Sequence, residues 1–302
     1  MYDIIIIGAG PAGLTASVYA RRANKSVLVI EKAAFGGQIT FSPKVENIPG
    51  FTALSGNEFA DKLVEQAIAQ GVEFESCTVT GIRNGDVKVV VTDEGEFEAK
   101  AVIIAAGARH RTLGVPNEER FIGDGISFCA VCDGAFYRDM DVAVIGGGNS
   151  ALQEALLLAD LARQVTVVQN LDFLTGEKQL CDQLAAKGNV KVILGTVVDS
   201  VLGEDSFKGI RVRREADGAV SDLLLDGLFV AIGLIPQNEP FADLIALDKR
   251  GYADADESCL TATPGVFVAG DCRTKRIRQV TTAASDGAVA ALAACDYIDG
   301  RG

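Results

Sequence analysis

Cys129 and Cys132, in SFCAVCDG at 127–134, are the residues best suited to chemistry in this 302-residue chain. A C-x-x-C turn brings two sulfurs within bonding reach, so it supports a dithiol/disulfide couple or supplies half of a metal site. A tetrahedral zinc would need two further ligands, and the chain holds one histidine, His110, and no second cysteine pair. The redox reading is therefore favoured and no metal is expected; two inert buried thiols are the third possibility. Asp133 follows directly. Disulfide exchange needs a thiolate to attack and a proton for the departing sulfur, so a carboxyl beside the pair is chemically useful. The competing assignment is a turn aspartate ahead of Gly134. Cys77, Cys181, Cys259, Cys272 and Cys295 stand alone and are expected to be small buried hydrophobes. His110, between Arg109 and Arg111, is expected at the solvated surface.

A second kind of chemistry is written in glycine. GAGPAG (Gly8, Ala9, Gly10, Pro11, Ala12, Gly13) follows the apolar run IIII and opens a helix, and Glu31 ends the next strand. In a dinucleotide fingerprint the first glycine permits the turn, the second admits the pyrophosphate, and the third lets helix approach strand. The helix N-terminus offers free N–H groups to phosphate, and the acid accepts from a ribose hydroxyl. Gly270-Asp271 and the helix starting near Gln279 add a second contact region, as a long, bent ligand such as FAD needs at both ends. Asp271 is expected to bind a ribityl hydroxyl or a water on the pyrophosphate, and the helix start to face the flavin pyrimidine edge.

The pattern then recurs. VIGGGNSALQEA supplies Gly146, Gly148, Asn149, Ser150 and Ala151, and the next strand ends at Gln169 and Asn170, followed by Leu171 and, further on, Thr175. This turn suits a nicotinamide nucleotide, but no acid marks it for NADH and no arginine cluster marks it for NADPH. Gln169 can still accept from a ribose hydroxyl through its amide carbonyl. The unit is thus competent for a nucleotide without being specialised for NADPH.

The elements that must position these residues form a repeat. Gly8 to Gly146 and Glu31 to Gln169 share one offset of 138 residues. Each unit reads strand, glycine turn, helix, strand, then polar alternating segments (87–99 and 207–225), then a buried strand closed by glycine (101–108 and 227–233). A further strand, Asp-bearing turn and helix of small residues (264–298) has no counterpart in a tandem repeat. The expected fold is α/β: two Rossmann-like three-layer nucleotide-binding domains, the second inserted into the first. The boundaries are placed at 1–113 plus 246–302 for the FAD domain and 114–245 for the insert that carries the C-x-x-C. Linkers are expected near 114–121 and 234–241, where Pro, Asn and Glu gather.

Composition agrees with a buried α/β core: 48% of residues are hydrophobic and 33 are glycine. The net charge of −13 argues against nucleic acid and anionic membrane as partners. No stretch is long enough to span a bilayer and Met1-Tyr2-Asp3 carries no basic leader, so a cytoplasmic, reducing location is expected.

Taken in order, GAGPAG, FGGQI (35–39), VENIPGF (45–51), AAGAR (105–109), CAVCDG (129–134), GGGNSALQEA (146–155), VFVAGD (266–271) and RQVTTAASDG (278–287) resemble low-molecular-weight thioredoxin reductases over nearly the whole chain. The resemblance implies FAD held at Gly8–Gly13, Glu31, Gly37, Gln38, Asn47, Gly107, Asp271, Arg278, Gln279 and Val280. It implies a homodimer, and a redox-active Cys129–Cys132 pair on the inserted domain with Asp133 as its acid. In that family the domains rotate, so that the cysteines face the flavin and thioredoxin in turn. Glutathione-reductase-type relatives place their cysteines soon after the first fingerprint, whereas 32–76 contains none. Alkyl hydroperoxide flavoproteins carry an extra N-terminal region, and ferredoxin–NADP reductases of this fold lack the C-x-x-C. The departure is at 169–175, where the family usually shows H-R-R-x-x-x-R gripping the 2′-phosphate of NADPH.

The leading expectation is an FAD enzyme that reduces a thioredoxin-like disulfide with electrons from an atypical donor. That donor is weakly discriminated NAD(P)H, or a non-nicotinamide donor such as ferredoxin or a reduced deazaflavin. One alternative is a flavin-dependent dithiol oxidase that passes electrons to oxygen, although such enzymes tend to place a histidine after the C-x-x-C. The other is a non-catalytic flavin-binding partner protein.

Overall fold

The computed structural model describes residues 1–42 and 44–301, and the chain divides into two compact units. One comprises 1–42, 48–109 and 235–302; the other comprises 110–234 with the short segment 43–47. The first unit opens with β1 (Tyr2–Ile7), α1 (Pro11–Arg22), β2 (Val27–Glu31), α2 (Gly56–Ala69), β3 (Glu73–Ser76), β4 (Val79–Arg83), β5 (Lys88–Thr92) and β6 (Glu96–Ile104). The chain leaves it through β7 (Ala108–His110). The second unit holds β8 (Ile126–Ser127), α3 (Ala130–Asp133), β9 (Asp141–Ile145), α4 (Asn149–Ala159), β10 (Gln164–Val168), α5 (Lys178–Ala185), β11 (Val190–Ile193), β12 (Thr196–Leu202), β13 (Gly209–Arg214), β14 (Val220–Leu224) and β15 (Gly227–Val230). The chain returns through β16 (Leu234–Pro236), and β17 (Val266–Val268) and α6 (Val280–Ile298) complete the first unit.

In the first unit the sheet order is β3-β2-β1-β6-β5-β4, with β17 also on β6. The run IIII is apolar on both strand faces because both are covered. Ile4 and Ile6 bury with Leu14 of α1 and Ala290 and Ala294 of α6, while Ile5 and Ile7 bury with Leu28, Ile30, Val79 and Phe241. The polar segment 87–99 and the apolar run after it, distinct in the sequence, share one nine-residue strand, β6. Its Glu96–Ala99 half pairs antiparallel with β5, whereas Val102–Ile104 pairs parallel with β17 on that same edge. Burial changes accordingly, from alternating to continuous. Residues 235–245, grouped with the insert from sequence, belong to this unit because Phe241 and Ile245 bury in its core.

The second unit has a parallel sheet, β11-β10-β9-β15-β8, with apolar clusters on both faces. Its alternating segment forms a separate antiparallel sheet, β12-β13-β14. No helix among the described residues is long and apolar enough to cross a membrane.

Candidate functional site

In the first unit the glycine turn follows from close approach. Gly8 has φ +105°, and a Cβ there would lie 2.4 Å from the Ala105 carbonyl oxygen. A Cβ on Gly13 would lie 1.8 Å from the Gly8 carbonyl oxygen, so α1 can start hard against the turn only with glycine there. A Cβ on Gly10 would meet only the Gly36 oxygen, at 3.9 Å, which leaves the start of α1 open. Pro11 opens that helix and Ala12 is buried in it. Glu31 is fastened to the turn: Ala9 N–H donates to its Oε2 at 2.8 Å and Ala33 N–H to its Oε1 at 2.9 Å. Gly36 N–H donates to the Ala9 carbonyl at 2.8 Å, bringing Gly37 beside Gly10, with Gln38 next in the chain. Gly107, with φ +68°, has no atom within 4 Å of where its Cβ would be.

Asp271 is the clearest sign of a missing ligand group. Its Oδ1 is buried without a hydrogen-bond partner. Burial pushes its carboxyl above the ordinary range, against the pull of Lys275 and Arg278. A buried acceptor without a donor is costly, and a ligand hydroxyl would satisfy it. The turn that carries Asp271 is pinned by Asp286 of α6. One carboxylate oxygen of Asp286 accepts from Gly270 N–H at 2.9 Å, Arg273 Nε at 2.8 Å and Lys275 Nζ at 2.8 Å. Burial works against the ionised Asp286, and the two cations outweigh it. Arg278 is spent internally: its guanidinium lies 4.2 Å from the Tyr252 ring centroid and donates weakly to the Asp271 and Arg273 carbonyls. Gln279 caps α6 reciprocally with Thr282, and Val280 is the first helical residue. The α1 turn, Glu31, Gly36–Gln38, Asp271 and the α6 start all fall in one unit; Asn47 lies in the segment grouped with the other. The open helix start and the orphaned acceptor fit a dinucleotide such as FAD.

In the second unit Cys129 and Cys132 are joined as a disulfide, with Cα atoms 5.3 Å apart. Both are half-buried, and Val131 between them is 61% exposed. Ser127 organises the turn, which sequence reading missed. Its Oγ donates to Asp133 Oδ2 at 2.6 Å and accepts from Cys129 N–H at 3.1 Å. Burial raises the Asp133 carboxyl, the Ser127 hydrogen bond opposes this, and Oδ1 stays buried without a partner. Glu154 of α4, also missed, carries a second such orphan at Oε2. Burial pushes its carboxyl up to about 8, a hydrogen bond from Ala130 N–H opposes this, and the charge of Asp133 adds to it. His110 corrects the surface expectation: its ring stacks on Phe128 at 4.8 Å, and burial lowers its pKa to about 4. Of the lone cysteines, Cys77, Cys259, Cys272 and Cys295 are buried and Cys181 is half-buried.

The second fingerprint repeats the first with one loosened contact. Gly146, φ +127°, would place a Cβ 2.6 Å from the Ala231 carbonyl oxygen, yet the Gly13 position is filled by Ala151. Thr175 and Gly176 N–H both return to the Gly147 carbonyl, as Gly36 does to Ala9. Gln169 is buried, its amide folded over Gly147 and donating to the Phe173 carbonyl at 3.4 Å. Asn149, at the start of α4 beside Ser150, is tied to Glu177: its Oδ1 accepts from Glu177 N–H at 2.7 Å, and its Nδ2 donates to the Glu177 carboxylate at 2.8 Å. Asn170, Leu171 and Thr175 are exposed, and Gly148 stands between that loop and the helix. Beside the strand end lies a hollow of about 470 Å³ lined by Asn170, Leu171, Asp172, Arg214 and Glu215. Its one guanidinium is outnumbered by two carboxylates.

Comparison with known proteins gives one consistent answer. The family model described as pyridine nucleotide-disulphide oxidoreductase matches residues 2–287. A Clostridium pasteurianum protein described as a 34.2 kDa protein in a rubredoxin operon is 44% identical over 99% of this chain and 98% of its own. The thioredoxin reductase of Treponema pallidum is 41% identical over 99% of this chain and 97% of its own. The crystal structure of thioredoxin reductase from Streptococcus pyogenes MGAS5005 superposes with a TM-score of 0.95 at 43% identity, covering 99% of both chains.

Proposed function

The chain belongs to the pyridine nucleotide-disulphide oxidoreductase family, as a low-molecular-weight thioredoxin reductase, and from that premise we propose how its own residues divide the work. It is a flavin-dependent oxidoreductase, and the family is FAD-dependent. When bound, FAD supplies the two-electron relay between a donor and the Cys129–Cys132 disulfide. Gly8–Gly13 and the α1 start would hold its pyrophosphate, Glu31 its ribose and Asp271 a ribityl hydroxyl, with Gly37, Gln38, Gly107 and Arg278–Val280 completing the site. The observation that carries the assignment is the half-buried disulfide with an acid hydrogen-bonded beside it. Exposed Val131 gives a partner apolar surface at the sulfurs. Asp133 would protonate the departing sulfur of a thioredoxin-like substrate. A homodimer is the expected assembly.

The donor is the finer part of this reading. Gly146, Gly148, Asn149, Ser150 and Ala151 retain a pyrophosphate turn. However, Gln169 is committed to its own loop, and Asn170 and Thr175 offer neutral hydrogen bonds. Such bonds contribute about 0.5–1.5 kcal/mol each, against about 1.5–3 for charged ones. NADPH should therefore hold little advantage over NADH, and ferredoxin or a reduced deazaflavin stands as the non-nicotinamide donor. A stopped-flow donor panel with flavin absorbance as readout tests this. NADH and NADPH should bleach the flavin with similar, weak affinities; rapid bleaching by micromolar NADPH alone would overturn it.

A further inference from the structure

Two buried carboxyls attend the C-x-x-C turn, and the chemistry above uses one. Asp133 ends α3, and Glu154 comes from α4, the helix packed against it. The main chain of Ala130, between the two cysteines, lies close enough to the Glu154 carboxyl to favour its ionised form. Glu154 Oε2 and Asp133 Oδ1 are each buried without a partner. Beyond burial, the groups acting on the two carboxyls are Ser127, Ala130 and Asp133 itself, with no cation among them; Tyr137, from the following turn, feels Asp133 and Asp124. The charge of Asp133 raises the Glu154 carboxyl, so at low dielectric ionisation of Glu154 beside ionised Asp133 is opposed.

Resting on the assignment of Cys129, Cys132 and Asp133 to disulfide exchange, we propose that Glu154 is a positioning residue that shares one proton with Asp133 and keeps an acid available beside the leaving sulfur. One cysteine thiolate attacks the substrate disulfide, and a mixed disulfide forms as one substrate sulfur departs. Asp133 protonates that sulfur, and Glu154 resupplies Asp133. The second cysteine gives its proton to the carboxylate pair and attacks the mixed disulfide. The Cys129–Cys132 bond forms, and the second substrate sulfur leaves as a thiolate that takes a proton from solvent. Two electrons pass to the substrate, and the pair ends with the one proton it began with.

The test uses prereduced holoenzyme, the variant Glu154→Gln and two substrates. Oxidised thioredoxin releases a thiolate that needs a proton. The aryl disulfide dithiobis(nitrobenzoate) releases one that does not, because a low leaving-group pKa removes the need. Glu154→Gln should slow thioredoxin reduction about tenfold or more at pH 7.5 and leave it unchanged near pH 5.5, moving the basic limb of the pH profile to lower pH. The aryl disulfide rate should stay the same, and Glu154→Asp should recover part of the loss. A purely structural role would slow both substrates at every pH, and that result, or an unshifted profile, overturns the proposal. If Glu154→Gln fails to fold, infrared titration of the wild type and Asp133→Asn decides: a protonated-carboxyl band must persist above the ordinary carboxylate range and titrate lower in Asp133→Asn, and a band unchanged by that substitution overturns the proposal. Cys132→Ser separates the two levels. Retained exchange in that variant defeats the dithiol assignment itself, whereas lost exchange with an unshifted Glu154→Gln profile defeats only the role of Glu154.

Discussion

In the proposed function, donor choice comes down to single residues. Asn170 and Leu171 lie just beyond the end of β10 with exposed side chains, so either position has room for a longer one. The double variant Asn170→Arg, Leu171→Arg should tighten NADPH binding by about 10- to 100-fold, since each charged phosphate contact contributes about 1.5–3 kcal/mol before solvent screening. NADH binding should change little; flavin-bleaching titrations with both nucleotides measure the ratio, and equal gains for both would defeat the argument. At this scale the sequence was readable wherever a residue answers to its own neighbours. Gly8, Gly13 and the C-x-x-C obey local geometry, and Glu31 is reached through a fixed strand–helix–strand spacing. Ser127, Glu154 and His110 were not readable in the same way. Glu154 comes near the turn because α4 packs against α3, and His110 is half-buried with Phe128 stacked on it. Neither partner is implied by sequence spacing.

At the scale of elements, α1 and α6 cross at very short range. A Cβ on Gly287 of α6 would lie 2.1 Å from the Ala12 carbonyl oxygen of α1. The two helices also start at the two ends of the proposed flavin site, so their crossing sets the distance between those ends. Gly287→Ala should destabilise the protein by about 1–3 kcal/mol, the usual range for overpacking. It should also weaken FAD retention more than a comparable change remote from the site, such as one in β12–β14. Denaturant melts and flavin release on dilution would report both; a destabilised variant that keeps its flavin at wild-type affinity would separate the crossing from the site. Strand β6 shows what sequence patterning conceals. Its polar start and apolar end read as two elements because burial changes along its length, yet hydrogen bonding runs straight through the change.

For the whole molecule, the order of segments matters as much as their structure. Gln237 N–H donates to the Gly107 carbonyl at 3.1 Å, so within the first unit the chain ends flanking the insert lie side by side. A chain with 110–234 replaced by a short Gly/Ser linker should fold and bind FAD while losing all disulfide exchange. Flavin content after gel filtration checks this, and an apoprotein that never binds flavin would show that the first unit depends on the insert. The same arrangement has a consequence for biosynthesis. Gly8 and Glu31 leave the ribosome early, but β17, Asp271 and α6 come last, after the whole second unit. Apart from the short segment 43–47, that unit is one continuous stretch and can fold as it emerges. The redox-active turn is therefore complete while the flavin site still lacks its closing strand and helix. During synthesis the nascent protein therefore carries its cysteine pair before it has any flavin-based means of reducing it.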